Sequence, residues 1–551
     1  MPLILFTLLS AGIKAQDYQL SIPAPSRADV DRISEIVSVQ HVRSQEVEAY
    51  ANEREYQRLR AAGYYPKMIK KLKEISLSKS TDDEPWIVMA PNINELDLSK
   101  MYPTYEVYQE WMEQIPQKYP ELATLEEVGT SAEGRKILAI RIASQENIPM
   151  RAEVLITSTI HGDETTGYIL CMRLIEDILE NAESDGQISG IIKNTILYIN
   201  PLANPDGTYH GGNHTVEKAQ RYNANNEDLN RNFPIIGELD NRTREPETKC
   251  WMDFADKHHF VLSMNIHGGD ETFNYPWDSF YDQEYQLPDK EWFEEAGREY
   301  VELARQSNSQ YMKSVNQEGY VYGSEWYKVK GGRQDWMMYE KRCREVTLEV
   351  SNVKTSRIQL INQYWEMNRK ALLNYIEKAN QGIAGTVTDL YGNPLKAEII
   401  IRNHDKNHSS VFTDDHGTYF RPLLGSRSYD VCAYSDGYIT ECELVDTEEK
   451  QLVELHYVLM KGESEYPETG VEKVKNLMEQ MKIEWQDNAL EVSCRCPIKD
   501  IAVSTTDGKI LIHTHPNAKR ARIDCSKLQK GIYIVIADNG GNRKTKKIYK
   551  K

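Results

Sequence analysis

Residues 152–181 read AEVLITSTIHGDETTGYILCMRLIEDILEN. An apolar, β-branched run stops at a histidine, a glycine and two acids, and a helical pattern starts at once. His161 and Glu164 stand three residues apart at this joint. Two readings are open: a pair of metal ligands, or a polar turn that contains a histidine. Other apolar runs behave alike. ILAIRIA (137–143), TILYINPLANP (195–205) and FVLSMNIHGG (260–269) each end in a polar turn, with helical patterns between them. This alternation over residues 98–380 predicts an α/β domain on a mixed, largely parallel sheet flanked by helices. In such sheets function gathers where strands end.

The chain around that domain is long. At 551 residues it exceeds one ordinary domain, and 40% hydrophobic residues suffice for several cores. No internal run approaches the ~20 apolar residues of a membrane span, so no transmembrane segment is expected. A net charge of −18 argues against nucleic acid as a partner, since that needs a basic face. MPLILFTLLSAGIKAQ, with Ala15 before Gln16, predicts a signal peptide over residues 1–15, although a basic start is missing. Residues 16–90 predict a small α+β unit, either an N-terminal domain or a propeptide, with the polar break SLSKSTDDEPW (76–86) as its processing site or linker.

From residue 381 the pattern turns to apolar–polar alternation punctuated by Gly392-Asn393-Pro394 and Asp415-His416-Gly417. That predicts a β-sandwich over 381–461. A charged linker, 462–475, leads to a second β-rich module over 476–551, which ends in a Lys-rich strand. Eight cysteines form no CxxC pair, so a cysteine zinc site is not indicated. Export would allow disulfides; Cys432 with Cys442, and Cys494 or Cys496 with Cys525, are the candidate pairs.

Catalytic zinc takes three protein ligands and leaves a position for water, and two histidines with a glutamate is an attested set. The best third ligand is His267, which ends FVLSMNIHGG. His258 and His259 precede that strand, at its other end, and His210 and His214 lie in a Gly/Asn-rich loop. QRYNANNEDLNRNFP (220–234) suits an anion site, because arginine offers a planar fork and asparagine directional donors. In VTLEVSN (346–352), Glu349 sits within an apolar strand, where a carboxylate is costly unless paired or functional.

HGDE (161–164), NPDG (204–207), DLNRNFP (228–234), LSMNIHGG (262–269) with NYPWD (274–278), WYKVKGG (326–332) and VTLEV (346–350) stand in the order found in zinc metallocarboxypeptidases. The sequence resembles the subgroup of carboxypeptidases N, E, M and D over roughly residues 100–380. The resemblance implies a catalytic domain over 91–380 and one Zn2+ held by His161, Glu164 and His267. It implies Asp228 as the carboxylate orienting a ligand histidine, Arg221 as the group polarising the scissile carbonyl and Glu349 as general base. Asn230 and Arg231 would hold the substrate's terminal carboxylate, and Tyr327 would close over the bound residue. Asp278 would lie at the base of the side-chain pocket, with Gln334 as the polar residue of basic-specific members. Arg333 departs from the pattern; turned inward, it would neutralise Asp278.

The implied substrates are peptide and protein C-termini ending in Lys or Arg. Competing expectations are a zinc amidohydrolase or deacylase, a peptidoglycan-trimming carboxypeptidase, and an inactive peptide-binding module. Residues 381–461 resemble the transthyretin-like domain of the same subgroup. The segment 476–551 resembles the C-terminal sorting domain of type IX secretion in Bacteroidetes, which implies a cell-surface or secreted location and the outer-membrane secretion machinery as a partner.

Overall fold

The computed structural model describes residues 18–71 apart from 44 and 52, 87–467 apart from 147 and 149, 482–505 apart from 487 and 488, 509–538, and 543–550. The expected signal peptide, the break at 76–86 and residues 468–475 of the expected linker lie outside them.

Four N-terminal strands, β1 (Tyr18–Pro23), β2 (Ser38–Val42), β3 (Glu46–Ala51) and β4 (Lys67–Lys71), form an antiparallel sheet in the order β2-β3-β1-β4. Every second residue of β3 is buried, so Val47, Ala49 and Ala51 make one face with Leu20 and Ile22. Helices Arg27–Ser34 and Glu53–Ala61 close that face with Val30, Ile33 and Leu59. Ser26 and Asp29 cap the first helix reciprocally, each side chain accepting from the other's amide at 3.2 Å. Two amides that a helix start leaves bare are thereby satisfied.

A short parallel pair, β5 (Met89–Ala90) and β6 (Tyr102–Pro103), precedes the central sheet. Its eight strands are β7 (Ala123–Thr130), β8 (Lys136–Ile142), β9 (Ala152–Ser158), β10 (Thr195–Asn200), β11 (Phe260–His267), β12 (Glu271–Tyr275), β13 (Tyr320–Tyr322) and β14 (Arg344–Val350). They lie in the order β13-β12-β14-β11-β9-β10-β8-β7. Pairing is parallel for β9–β10, β9–β11, β11–β14 and β12–β13, and antiparallel for the remaining three, so the sheet is mixed. β11 and β14 are buried along their whole length, as strands covered on both faces must be. Helices Thr166–Glu180 and Ile358–Glu377 supply cover through Leu170, Leu174 and Ile178, and through Ile361, Leu372 and Ile376.

Residues 382–459 add eight strands in two four-stranded sheets. Cys432 and Cys442 face each other across Ser428–Tyr434 and Glu441–Asp446 and form a disulfide. Fully buried charges tie these sheets to the central domain. Asp289 accepts from Arg344 Nη2 at 2.7 Å and from Arg421 Nη2 at 2.9 Å, and Arg421 Nη2 reaches Asp405 at 2.6 Å. Ions at such depth stand only when paired and hydrogen-bonded.

Residues 466–551 belong to a second compact unit. Strands Lys482–Gln486, Ala489–Ile498 and Ala518–Asp524 form one sheet. Ile510–Thr514, Asp500–Ser504, Gly531–Asp538 and Arg543–Lys550 form another, in that order. Leu490, Ile501, Val503, Val535 and Ile548 fill the core. The second disulfide expectation fails: Cys525 is a free thiol packed into that core. The side chains of Cys494 and Cys496 lie outside the described residues. Among the described residues no helix is long and apolar enough to cross a membrane.

Candidate active site

Parallel pairing brings the C-terminal ends of β9, β11 and β14 to one edge of the sheet. His267 is the last residue of β11, and Glu349 stands directly opposite it in the register of β14. His161 and Glu164 occupy the turn after β9. That turn packs so tightly that a Cβ on Gly162 would come 2.3 Å from the carbonyl carbon of Gly207. The glycines of HGDE and NPDG thus share one packing reason. Asn204 completes the clamp, its Nδ2 donating to the carbonyls of Ile160 (3.2 Å) and Arg221 (3.3 Å).

Three donor atoms converge there. His161 Nδ1 and His267 Nδ1 each lie 2.9 Å from Glu164 Oε2, and 3.1 Å from one another. Tetrahedral zinc with bonds of about 2.0 Å sets its ligand atoms roughly 3.3 Å apart, so the set fits zinc in kind and closely in spacing. Each imidazole is held from behind. His161 Nε2 lies 3.2 Å from Asp228 Oδ1, and His267 Nε2 lies 2.9 Å from Asn265 Nδ2. An Nε2–H donated to Asp228 orients the His161 ring and leaves its Nδ1 as the metal donor, while Asn265 packs against the His267 ring from behind.

Charge at this end is compensated. Burial alone would raise the Glu164 carboxyl, but His161, Lys354 and His267 hold it well below the usual carboxylate range. Burial pushes His267 down to about 4, against the pull of Glu164. Both shifts favour the deprotonated forms that bind metal. Burial would also raise Asp228; Arg221, donating from Nε at 3.0 Å with Nη2 at 2.9 Å, holds it low. Arg221 Nη1 lies 3.0 Å from His161 Nδ1 and 3.3 Å from Glu164 Oε1. Glu349 is the exception: burial, with the charges of Glu164 and Asp270, pushes its carboxyl well above the ordinary value. Its Oε2 is buried without a hydrogen-bond partner.

The cavity also takes in Asn230, Arg231, Tyr327 and Asp278. Asp228 Oδ1 accepts from the Asn230 amide at 2.9 Å, and Arg231 Nη2 is buried without a partner. Asp278 Oδ1 accepts from Asn274 Nδ2 at 3.0 Å and Gln334 Nε2 at 3.1 Å, while Asn274 Oδ1 and Gln334 Oε1 are buried and unbonded. Burial, then the charge of Asp335, pushes Asp278 well above its ordinary value. Gly323 makes room for it, since a Cβ there would meet Asp278 Oδ1 at 1.9 Å.

Arg333 does not neutralise Asp278. Its guanidinium donates to Thr157 Oγ1 (2.6 Å), Ser263 Oγ (3.1 Å) and Glu345 Oε2 (3.0 Å), over the ring of Trp251. Successive helix residues point about 100° apart, so Gln334 faces Asp278 while Arg333 faces the sheet. His258 and His259 stand beside Glu153 at the far end of β11. Asn265 and Lys354 escaped the sequence reading. Asn265 is two residues before His267, hence on its side of the strand; Lys354, with Nζ 3.5 Å from Glu164 Oε1, carries no local signal.

The N-terminal sheet reaches the same cavity. Val39 of β2 lines it, His41 Nδ1 lies 3.2 Å from Asp270 Oδ1, and Tyr327 packs against the core beneath that sheet.

Residues 108–371 match the family model described as zinc carboxypeptidase, and residues 479–551 that of the secretion system C-terminal sorting domain. The latter assigns the chain to type IX export, to the cell surface or beyond. Carboxypeptidase D of Anas platyrhynchos is 29% identical over 447 residues, covering 76% of this chain and 30% of that one. Carboxypeptidase M of Mus musculus is 31% identical over 379 residues, covering 65% and 83%. Among solved structures, carboxypeptidase A from Helicoverpa armigera aligns at 18% identity with a TM-score of 0.49, over 65% of this chain and 98% of that one. The chain spans 30% or less of the length of the carboxypeptidase D relatives. With 83% of carboxypeptidase M covered and the zinc donor set assembled at one sheet edge, the chain belongs to the zinc carboxypeptidase family.

Proposed function

We propose that the protein is a zinc-dependent carboxypeptidase that removes the last residue of peptides and proteins, with a preference for Lys or Arg. One observation carries this reading. In and beside a single cavity, the three zinc donors keep company with four buried polar atoms that lack partners: Glu349 Oε2, Arg231 Nη2, Asn274 Oδ1 and Gln334 Oε1. Such atoms are rare and costly. Here they are sorted by chemistry, with a cationic donor where a terminal carboxylate would sit and acceptors around Asp278.

A zinc ion held by His161, Glu164 and His267 would supply Lewis acidity and an activated water. Glu349, whose proton affinity is raised by its surroundings, takes a proton at that end and returns it to the leaving amine. Arg231 and Asn230 bind the terminal carboxylate, which restricts cleavage to the last peptide bond. Arg221, fixed by Asp228, offers a permanent cation to the scissile carbonyl oxygen. Asp278 pairs with the substrate's cationic side chain, and Tyr327 closes over it.

Residues 16–90 then act as a propeptide. The N-terminal sheet borders the cavity itself, through Val39 of β2. Residues 381–461 are a transthyretin-like module that braces the catalytic domain through Asp289, and 476–551 serve export.

The test offers dansylated peptides ending in Arg, Lys, Phe or Glu to the chain and to a form freed of residues 16–90 by limited proteolysis, with and without chelator. Chelator-sensitive release of Arg and Lys by the freed form is expected. No release of any residue ends the enzyme reading, and release of Phe ahead of Arg ends the basic preference.

A further inference from the structure

A second cluster of two imidazoles and a carboxylate lies in the C-terminal unit. Asp500 opens the strand Asp500–Ser504; His513 lies in Ile510–Thr514, with His515 just beyond it. The antiparallel register pairs Ile501 with Thr514 and Ala502 with His513, so Asp500 falls opposite His515. Residues two apart share a face of a strand, and cross-strand partners share it too. All three side chains therefore stand on one face, at the open end of the hairpin.

They also converge. His513 Nε2 lies 2.8 Å and His515 Nδ1 3.0 Å from one atom, Asp500 Oδ1. That oxygen is withdrawn from solvent and has no hydrogen-bond partner, so the nitrogens are close without being aligned to donate to it. Donor atoms crowded together but aimed past one another are disposed as ligands of one cation. The chain carries its own standard for this geometry. At His161, Glu164 and His267 two imidazole nitrogens also lie 2.9 Å from one carboxylate oxygen. The ring centroids are 4.7 Å apart in both clusters, with interplanar angles of 73° and 60°.

We propose that Asp500, His513 and His515 form a second divalent-metal site, of the zinc class, in the C-terminal unit. Two imidazoles and one carboxylate suit Zn2+, Ni2+ or Cu2+, whereas Ca2+ and Mg2+ require more oxygen ligands than the cluster offers. Asp538 stands directly across from Asp500 on the other neighbouring strand. The imidazole side chains are 35% and 73% exposed, so the ion enters from solvent and exchanges more readily than at the buried cluster. Bound there, it fastens the hairpin opposite its turn. This closes a loop in the folded chain and links metal binding to the stability of the unit.

The test strips the full-length chain with chelator and titrates it with Zn2+. Two equivalents are expected in the unaltered chain, and one in His513→Ala and in Asp500→Asn, with Arg release by both variants, once freed of residues 16–90, unchanged. His161→Ala should also bind one equivalent but lose activity, which separates this site from the proposed catalytic one. Retention of the full zinc content by both His513→Ala and Asp500→Asn overturns the proposal. A measurement on the unaltered chain guards against misfolded variants. Zinc should slow diethyl pyrocarbonate modification of His513 and His515 by about tenfold or more, because a ligated nitrogen is not free to react. An unchanged rate also overturns it.

Discussion

At the metal-binding end of the cavity Glu164 is held well below the ordinary carboxylate range, whereas at the other end Asp278 is pushed well above it. Both are buried, and burial raises both. What differs is the company: Glu164 has His161, Lys354 and His267, while Asp278 has Asn274 and the charge of Arg231 to lower it against the acid Asp335, itself pushed by burial up to about 6. Neighbouring charge, and not depth, decides whether a buried carboxylate stays ionised. At one end several cations crowd the carboxylate; at the other, neutral amides hold it beside a second acid.

The sharpest way to break this comparison is to disable the metal end without touching its ligands. Glu349→Gln should lower kcat by about 10²–10⁴, the range for a lost general base, with zinc content by metal analysis unchanged; loss of zinc would make Glu349 a ligand. Asp278→Ala attacks the opposite end. Leaving a substrate cation buried and unpaired should cost about 10²–10³ in kcat/KM on Arg-ended peptides, and Phe-ended peptides should lose far less. Equal losses on both would reduce Asp278 to a packing residue. Gly323→Ala, whose Cβ would strike Asp278 Oδ1, should narrow the Arg-over-Phe ratio by about tenfold through displacement alone, and an unchanged ratio would show that Asp278 need not sit where it does.

The smallest effect concerns pH. The hydrogen bond to Asp270 raises His41 above its reference value of 6.5, with Glu48 adding to the shift and Arg43 opposing it, and burial raises Asp270. His41 holds its proton more tightly in the docked state, while it draws Asp270 down, so its contribution to docking is full at low pH and is lost as pH rises through the raised His41 value. Release of residues 16–90 by a protease, corrected for the protease's own pH profile, should therefore quicken between pH 6 and pH 9. A rate flat across that range would remove His41 from the clasp.

Much of the site was legible because its parts are punctuated. His161 and His267 each close an apolar run, and Glu349 is a carboxylate that interrupts one, so two different signals singled out three residues that line one cavity. The N-terminal strands and helix were legible from alternation, but their seat over the cavity is a tertiary fact with no local signal. Arg333 and Gln334 are neighbours in sequence, and only helical rotation separates a sheet-facing guanidinium from a pocket amide. Lys354 reaches Glu164 because Thr165 donates its amide to the Lys354 carbonyl at 2.9 Å, pinning the loop after β14 to the ligand turn. The C-terminal histidines stayed hidden for a similar reason: Asp500 and His513 lie thirteen residues apart, and only the hairpin register makes them neighbours.

The buried charges around Asp289 carry one more consequence. Composition changes near residue 380, yet Arg344, which opens the strand bearing Glu349, shares Asp289 with Arg421 from beyond that point. A chain cut there would keep the Asp289–Arg344 pair but strip from it Arg421, with its partner Asp405, and uncover what that side of the cluster had buried. The compositional boundary is thus not a boundary of the buried charges, and truncation there should weaken the packing at the start of the strand that bears Glu349.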